Sequence, residues 1–178
     1  MSPYKLLSTR EVYRTPWLRV REDRVTAPDG SDATFSVVES KPGSTVVAID
    51  AAQRVWLIRE YKYGVGRECI EAVSGGIEPG ESALDAARRE LEEEAGVVAS
   101  DWLELGHVDP FTAVVASPNY LFVARGLAPG RRQLDATEVI HPFQVNFAEA
   151  VDMVLRGDIT HSASCLAILK AHLAGVCG

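Results

Sequence analysis

The chain has 178 residues, 47% of them hydrophobic and 24% charged, with a formal net charge of −7. That length suits one domain with a sizeable core, and the composition excludes a disordered or membrane-embedded chain. The acidic balance excludes nucleic acid as the main partner, because no broad basic surface meets phosphates; small anionic ligands stay open, since a bound cation reverses the local field.

The cysteines, Cys69, Cys165 and Cys177, are scattered and odd in number. They form neither a disulfide framework nor a paired metal-binding spacing, which fits a reducing compartment. The opening MSPYKLLSTREVYR lacks the basic-then-apolar layout of a signal peptide. No apolar run approaches the ~18 residues of a membrane span. A soluble, cytoplasmic protein is expected.

Along the chain, WLRVREDRV (17–25) and ATFSVVES (33–40) flank the turn APDGSD and predict a hairpin. STVVAID then leads through the turn AAQ into VWLIREY (55–61), which reads as a second strand pair rich in β-branched residues. ECIEAV (68–73) is a further short strand ending just before glycines. The clearest helix runs from Ser82 to Ala95, with Ser82 and Asp85 as a capping box and Gly96 as the stop. Strands follow at WLELGHVD (102–109) and YLFVARGL (120–127), and a polar loop, APGRRQLDATE, leads to VIHPFQV. Two helices, FAEAVDMVLRG and SASCLAILKAHLAG, close the chain. Strands and helices mix without regular βαβ alternation, so the expected class is α+β with a mixed sheet against helices.

On a wheel of the 82–95 helix, Leu84, Ala87, Leu91 and Ala95 share the face that packs on the core. Glu90 and Glu94 stack on a neighbouring stripe with Glu93 beside them, while Glu92 points away toward solvent. A solvated helix surface is one account of these acids. Against it, an unneutralised i,i+4 Glu pair costs roughly 0.2–0.5 kcal/mol, and the late position opposes the helix dipole. The other account is a divalent cation, which takes carboxylates together with water and substrate phosphates. Ser74-Gly75-Gly76 ends a strand, and Glu78-Pro79-Gly80 turns the chain to deliver Glu81 to the helix start. Glycine permits close backbone approach, so a carbonyl there can face the same cation.

Gly75, five residues, Glu81, seven residues and then Arg89-Glu90-Leu91-Glu92-Glu93-Glu94-Ala95-Gly96-Val97 resembles a complete Nudix box, G-x5-E-x7-R-E-U-x-E-E-x-G-U, with every specified position filled. The resemblance implies the Nudix fold, a mixed β-sheet sandwiched between helices. It also implies Glu90 and Glu94 as principal metal ligands, Glu93 as the third carboxylate and the Ser74 carbonyl as a further ligand. Arg89 would orient the glutamates through Glu81, Gly75 and Gly96 would be structural, and Leu91 and Val97 would sit in the core. The implied cofactor is Mg²⁺, with Mn²⁺ possible in its place. The implied reaction is attack of water on a phosphorus of a nucleoside diphosphate linked to another group, which needs no Ser/His/Asp triad.

Beyond the box, the N-terminal hairpin, REYKYGVGRECIEAVSGGIEPGE and EAVDMVLRGDITHSASCLAILKA look like the ADP-ribose and nucleotide-sugar pyrophosphatase branch. This divides the chain into an N-terminal β extension at 1–45, which in that branch pairs two subunits into a homodimer, and a hydrolase domain at 46–178. In QLDATEVIHPFQV the branch implies Glu138 as the catalytic base, served by Glu93 and Arg89; Asp135 is the other acid there, and His141 before Pro142 reads as structural. Arg59, Lys62 and Arg67 are the candidate substrate-binding cations, each with surface charge as the simpler reading. Lys62 keeps the charge of the arginine many relatives carry there but lacks its fork. Arg131 and Arg132 read as solvated. Trp17, Trp56 and Phe111 are candidates for stacking on a base, with core packing the simpler role for Trp56, and Cys69 reads as buried packing. The expected activity is hydrolysis of ADP-ribose or a nucleotide sugar to two monophosphates. Two other readings stay open: a nucleoside triphosphate pyrophosphohydrolase, and a nucleotide-sensing module without turnover.

Overall fold

The computed structural model describes residues 1–134 and 139–176. In chain order its elements are β1 (Lys5–Arg14), β2 (Leu18–Thr26), β3 (Asp32–Ser40), β4 (Gly43–Ala48), β5 (Arg54–Lys62), β6 (Arg67–Gly76) and α1 (Ala83–Ala95). β7 (Val97–Val108), β8 (Val115–Ala116), β9 (Asn119–Pro129), β10 (Ile140–Asn146), α2 (Phe147–Leu155) and α3 (Ser162–Leu173) follow. They gather into two units.

The first unit comprises Met1–Pro42 and Asp109–Pro118. Its sheet runs in the order β1-β2-β3-β8 among the described residues. The 17–40 hairpin forms as the sequence indicates, with Leu18 facing Ser40 and Thr26 facing Asp32. Asp29 closes its turn by accepting the Ser31 N–H at 2.9 Å, beside Gly30 at φ +86°. β1, absent from the sequence reading, pairs antiparallel with β2 and is exposed along its whole length. KLLSTREVYR lacks the two-residue alternation that marks a half-buried strand, so only pairing to β2 makes it one. β8 is likewise decided by tertiary pairing, lying parallel to β3. Trp17, at 75% exposure, and Phe111 are both exposed.

The second unit comprises Gly43–Val108 and the chain from Asn119. Its strands run in the order β10-β5-β6-β4-β9-β7. β4 and β5 are not the adjacent pair the sequence suggested. β6 pairs with β5 through 67–72 and with β4 through 73–76, leaving β4 and β5 a single bridge, Ile49 to Val55. The reason lies in the intervening turn: Asp50 accepts the N–H groups of Ala52 and Arg54, each at 2.9 Å, and this compact turn opens into two strands that diverge around β6. β4 also pairs parallel with β9, Gly43 facing Asn119.

Along β4 successive side chains point to opposite faces, and both faces are buried. Val47 and Ile49 join Leu57, Leu121 and Val123 against Phe147, Val151 and Ile168 of α2 and α3. Val46 and Ala48 join Ile58, Val73 and Phe122 against Ala87, Leu91 and Ala95 of α1. A mixed sheet therefore lies between helices, the expected α+β arrangement, and β4, buried on both faces, carries the apolar run VVA, continued by Ile49, for that reason. Trp56 packs half-buried against the second cluster, and Cys69 is buried. Among the described residues no helix is long and apolar enough to cross a membrane.

Candidate active site

The loop and helix that carry the acidic motif are held by local chemistry. The Ser82 hydroxyl accepts the Asp85 N–H at 3.1 Å and donates to the Asp85 carboxylate at 2.7 Å, satisfying an N–H the first helical turn leaves unpaired. At the other end Gly96 adopts φ 68°, and its N–H returns to the Glu92 carbonyl, the left-handed stop for which glycine is suited. The core face is broader than the wheel indicated: Ala86 is buried alongside Ala87, Leu91 and Ala95, while Leu84 is half-buried at the rim.

Arg89 is the hub. Its Nε and Nη2 fork onto the two oxygens of Glu81 at 3.0 and 3.1 Å, and Nη2 also donates to the Gly76 carbonyl at 2.8 Å. Its Nη1 donates to Glu90 at 2.6 Å and to Glu93 at 3.1 Å. The Glu81 hydrogen bond heads the effects that hold the guanidinium charged, and the same bond holds the Glu81 carboxyl below its ordinary range. One arginine thus ties the strand end, the turn and two acids of the helix into a single frame.

Glu94 differs from its neighbours. It is 5% exposed, and one carboxylate oxygen accepts the Ser74 N–H at 3.2 Å. Burial, then the adjacent charge of Glu90, push its pKa from 4.5 to about 8, against the opposing pull of the Ser74 N–H and Lys62. Burial and the Glu90 charge disfavour the ionised form of Glu94, and a cation held beside it would offset both. Glu90 lies against Gly75. Among the described residues no three acidic, histidine or cysteine side chains are already drawn together as a cation cage. The oxygen-only donors, the buried Glu94 and the Gly75 cradle fit a hard divalent cation that completes its shell with backbone oxygen, water and substrate phosphate.

Glu92, expected to face solvent, is half-buried and accepts the Arg131 N–H at 3.0 Å. Arg132, expected to be solvated, donates from Nε to the Glu94 carbonyl at 2.9 Å and from Nη2 to the Ile140 carbonyl. The Gly130 N–H reaches the Gly96 carbonyl and the Gln133 N–H the Glu93 carbonyl, at 2.8 and 3.1 Å. The last turn of α1 holds no basic residue of its own. Its unpaired carbonyls and dipole are answered by this loop instead. Glu138 and Asp135 lie outside the described residues.

Of the candidate substrate cations, the structure brings one near the glutamates. Lys62 lies within electrostatic reach of Glu94. Arg59 does not share that location: alternation along β5 puts it on the face of Leu57, opposite Ile58, and its guanidinium lies 5.5 Å from the Phe143 ring centre. Arg67 donates to Thr160 Oγ1 at 2.7 Å, ahead of α3. Sequence reasoning missed three polar residues here: Glu60 and Glu71 pair with Lys62, and His161 pairs with Glu71. The available signal was Glu71 itself, an acid between Cys69 and Val73 at an inward strand position.

Comparison with known proteins gives the family. A NUDIX domain model matches residues 39–163, and a nucleoside diphosphate sugar hydrolase N-terminal domain model matches residues 4–38. The chain is 28% identical over 176 residues to the ADP-ribose pyrophosphatase of Mycobacterium tuberculosis, covering 95% of this chain and 83% of that one. It is 23% identical over 172 residues to the methanol dehydrogenase activator of Bacillus methanolicus, covering 92% and 90%. The crystal structure of an ADP compounds hydrolase superposes with a TM-score of 0.85 at 23% identity, covering 98% of this chain and 95% of that chain. With an intact motif, a mixed sheet between helices and a family match across most of its length, the chain belongs to the Nudix family.

Proposed function

We propose that this Nudix hydrolase cleaves the pyrophosphate bond of ADP-ribose or a nucleotide sugar, giving two monophosphates; from ADP-ribose these are AMP and ribose 5-phosphate. The observation that carries the reading is Glu94, buried in the last turn of α1 beside Glu90, whose carboxylate fills the space that Gly75 leaves. The match to a nucleoside diphosphate sugar hydrolase N-terminal domain and the likeness to an ADP-ribose pyrophosphatase support the substrate class.

Glu90, Glu94 and Glu93, with the Ser74 carbonyl, would hold Mg²⁺ or Mn²⁺. In an extended strand the N–H and C=O of one residue point to the same edge, and the Ser74 N–H already meets Glu94. When bound, such a cation neutralises the pyrophosphate and makes water a stronger nucleophile. Arg89 holds Glu90 and Glu93 in place through Glu81, and Lys62 faces the anionic substrate. Glu138 remains the proposed acceptor of the water proton.

We assign the first unit to homodimer formation: β1 is an unprotected edge strand carrying exposed Leu6, Val12 and Tyr13, a surface that pairing with a second copy would cover. The buried Cys69 and half-buried Cys165 are free thiols, which fits the cytoplasm.

The direct test is phosphate release from ADP-ribose, nucleotide sugars and nucleoside triphosphates with Mg²⁺ or Mn²⁺, coupled phosphatase and an EDTA control. Metal-dependent turnover of the diphosphate derivatives is expected. Turnover of triphosphates alone, or none from a folded protein that binds nucleotide, would overturn the reading.

A further inference from the structure

A second group of charges, gathered around the buried Glu71, lies on the α1-facing side of β5 and β6, outside the acidic motif. Glu71 is 6% exposed. Its Oε2 stands 3.8 Å from Lys62 Nζ and 3.4 Å from His161 Nδ1. Lys62 Nζ also pairs with Glu60. The residue opposite Glu71 in the ladder is Ile58, so Glu71, Glu60 and Lys62 share one face by strand alternation. His161 precedes α3, and its Nδ1 lies 2.9 Å from Ser164 Oγ, which accepts the Ala72 N–H at 2.9 Å. The start of α3 is thereby bonded to β6 beside Glu71.

A carboxylate this deeply buried is expensive unless its charge is answered. Burial pushes the His161 imidazole toward its neutral form, so Lys62 is the fixed cation for Glu71. Burial also works against the charge of Lys62, but the Glu60 hydrogen bond and the charges of Glu71, Glu60 and Glu94 together raise its pKa above the ordinary lysine value. An ammonium on a four-carbon stem has no preferred direction of its own. Here two carboxylates on adjacent strands define one.

The geometry points to Glu71 as a positioning residue: braced by His161 and Ser164, it holds the Lys62 ammonium toward the site, where it meets the diphosphate of the substrate. This rests on the proposed function and adds a residue to it. Glu71 acts through Lys62 and touches no reacting atom. It supplies by anchoring the directionality that lysine lacks beside an arginine fork.

The test is a double-mutant cycle with Glu71→Gln, Lys62→Ala and the pair, read by KM for ADP-ribose and by calorimetric binding of its non-hydrolysable α,β-methylene analogue. Circular dichroism and thermal melting check that each variant is folded. Glutamine keeps the shape of Glu71 and removes its charge. Coulomb's law alone predicts tighter binding once a negative charge beside an anionic ligand is gone. Positioning predicts the opposite sign: KM and the analogue Kd rise about tenfold in Glu71→Gln, with kcat changing much less. In the Lys62→Ala background the same substitution adds no further loss. Tighter or unchanged binding in Glu71→Gln, or an equal loss in both backgrounds, overturns the inference. A wild-type protein that turns over ADP-ribose while the cycle is additive overturns the Glu71 role alone. A folded wild type that neither binds nor cleaves it overturns the hydrolase reading as well.

Discussion

The carboxylate of Glu90 occupies the space where a side chain on Gly75 would stand. A Cβ built on Gly75 falls 2.0 Å from Glu90 Cδ and 2.0 Å from Oε1, closer than any real contact between such atoms. The glycine is there because the acid needs its volume, and not because the backbone needs a positive φ. Gly75→Ala is therefore expected to displace the Glu90 carboxylate and lower kcat by about 100-fold, with little loss of stability, because what must move is the far end of a flexible side chain. Steady-state kinetics with Mg²⁺, and Mn²⁺ binding followed by electron paramagnetic resonance, check it. Wild-type Mn²⁺ affinity in the alanine variant would show that Glu90 does not need this space.

Glu94→Gln is expected to leave the fold intact and lower metal-dependent turnover by roughly three orders of magnitude. The metal-free protein offers a second readout. With a folded pKa of about 8 against an ordinary 4.5, the folded chain retains a proton through that window after the unfolded chain has released its own. Stability without metal must then fall as pH rises from 4.5 toward about 8 and level off above it. Thermal melts in EDTA should show this slope in the wild type and a reduced one in Glu94→Gln. Equal slopes in the two proteins would remove Glu94 as its source.

Arg132 meets the carbonyls of Glu94 and Ile140 and answers the negative end of a helix that has no basic residue in its last turn. Arg132→Gln is expected to cost about 1 kcal/mol of stability and to weaken Mn²⁺ binding. Arg132→Lys keeps the charge but cannot span both acceptors, so it should recover only part of each loss. Full recovery in the lysine variant would make the effect one of charge and not of geometry.

Ser82→Ala removes the side chain that caps the same helix at its start. The expected loss is about 1 kcal/mol, or roughly 2–4 °C in Tm for a chain of this size, with kcat and KM unchanged. A kinetic defect without a change in Tm would contradict a purely structural cap.

The motif helix was legible in the sequence because its determinants are local. The Ser82 cap, the Gly96 stop and the 3.6-residue spacing of Ala87, Leu91 and Ala95 act within a few residues of one another, and the stacking of Glu90 and Glu94 follows from helix geometry alone. The 17–40 hairpin was legible for the same reason, its turn chemistry and alternation lying side by side in the chain. The strand neighbours of β4 were not. Whether the partner of β4 is β5 or β6 depends on which pairing buries both faces of Val46 and Val47, and periodicity within one segment carries no information about that. The same limit hid β1, whose exposed residues become a strand only by bonding to β2, and the Arg132 cap, which joins atoms 38 residues apart in sequence. By itself the sequence determined the chemical inventory: which acids stand on one helical stripe and which residues start and stop the helix; that Gly75 leaves room for the Glu90 carboxylate was a tertiary fact. Tertiary structure decided the surroundings of the candidate cations: it put Lys62 beside Glu60 and Glu71, with His161 against Glu71, and Arg59 on the opposite face of β5 against Phe143. Long-range pairing and burial set the energy of a charge by everything packed around it, and those neighbours come from strands and helices far apart in the chain.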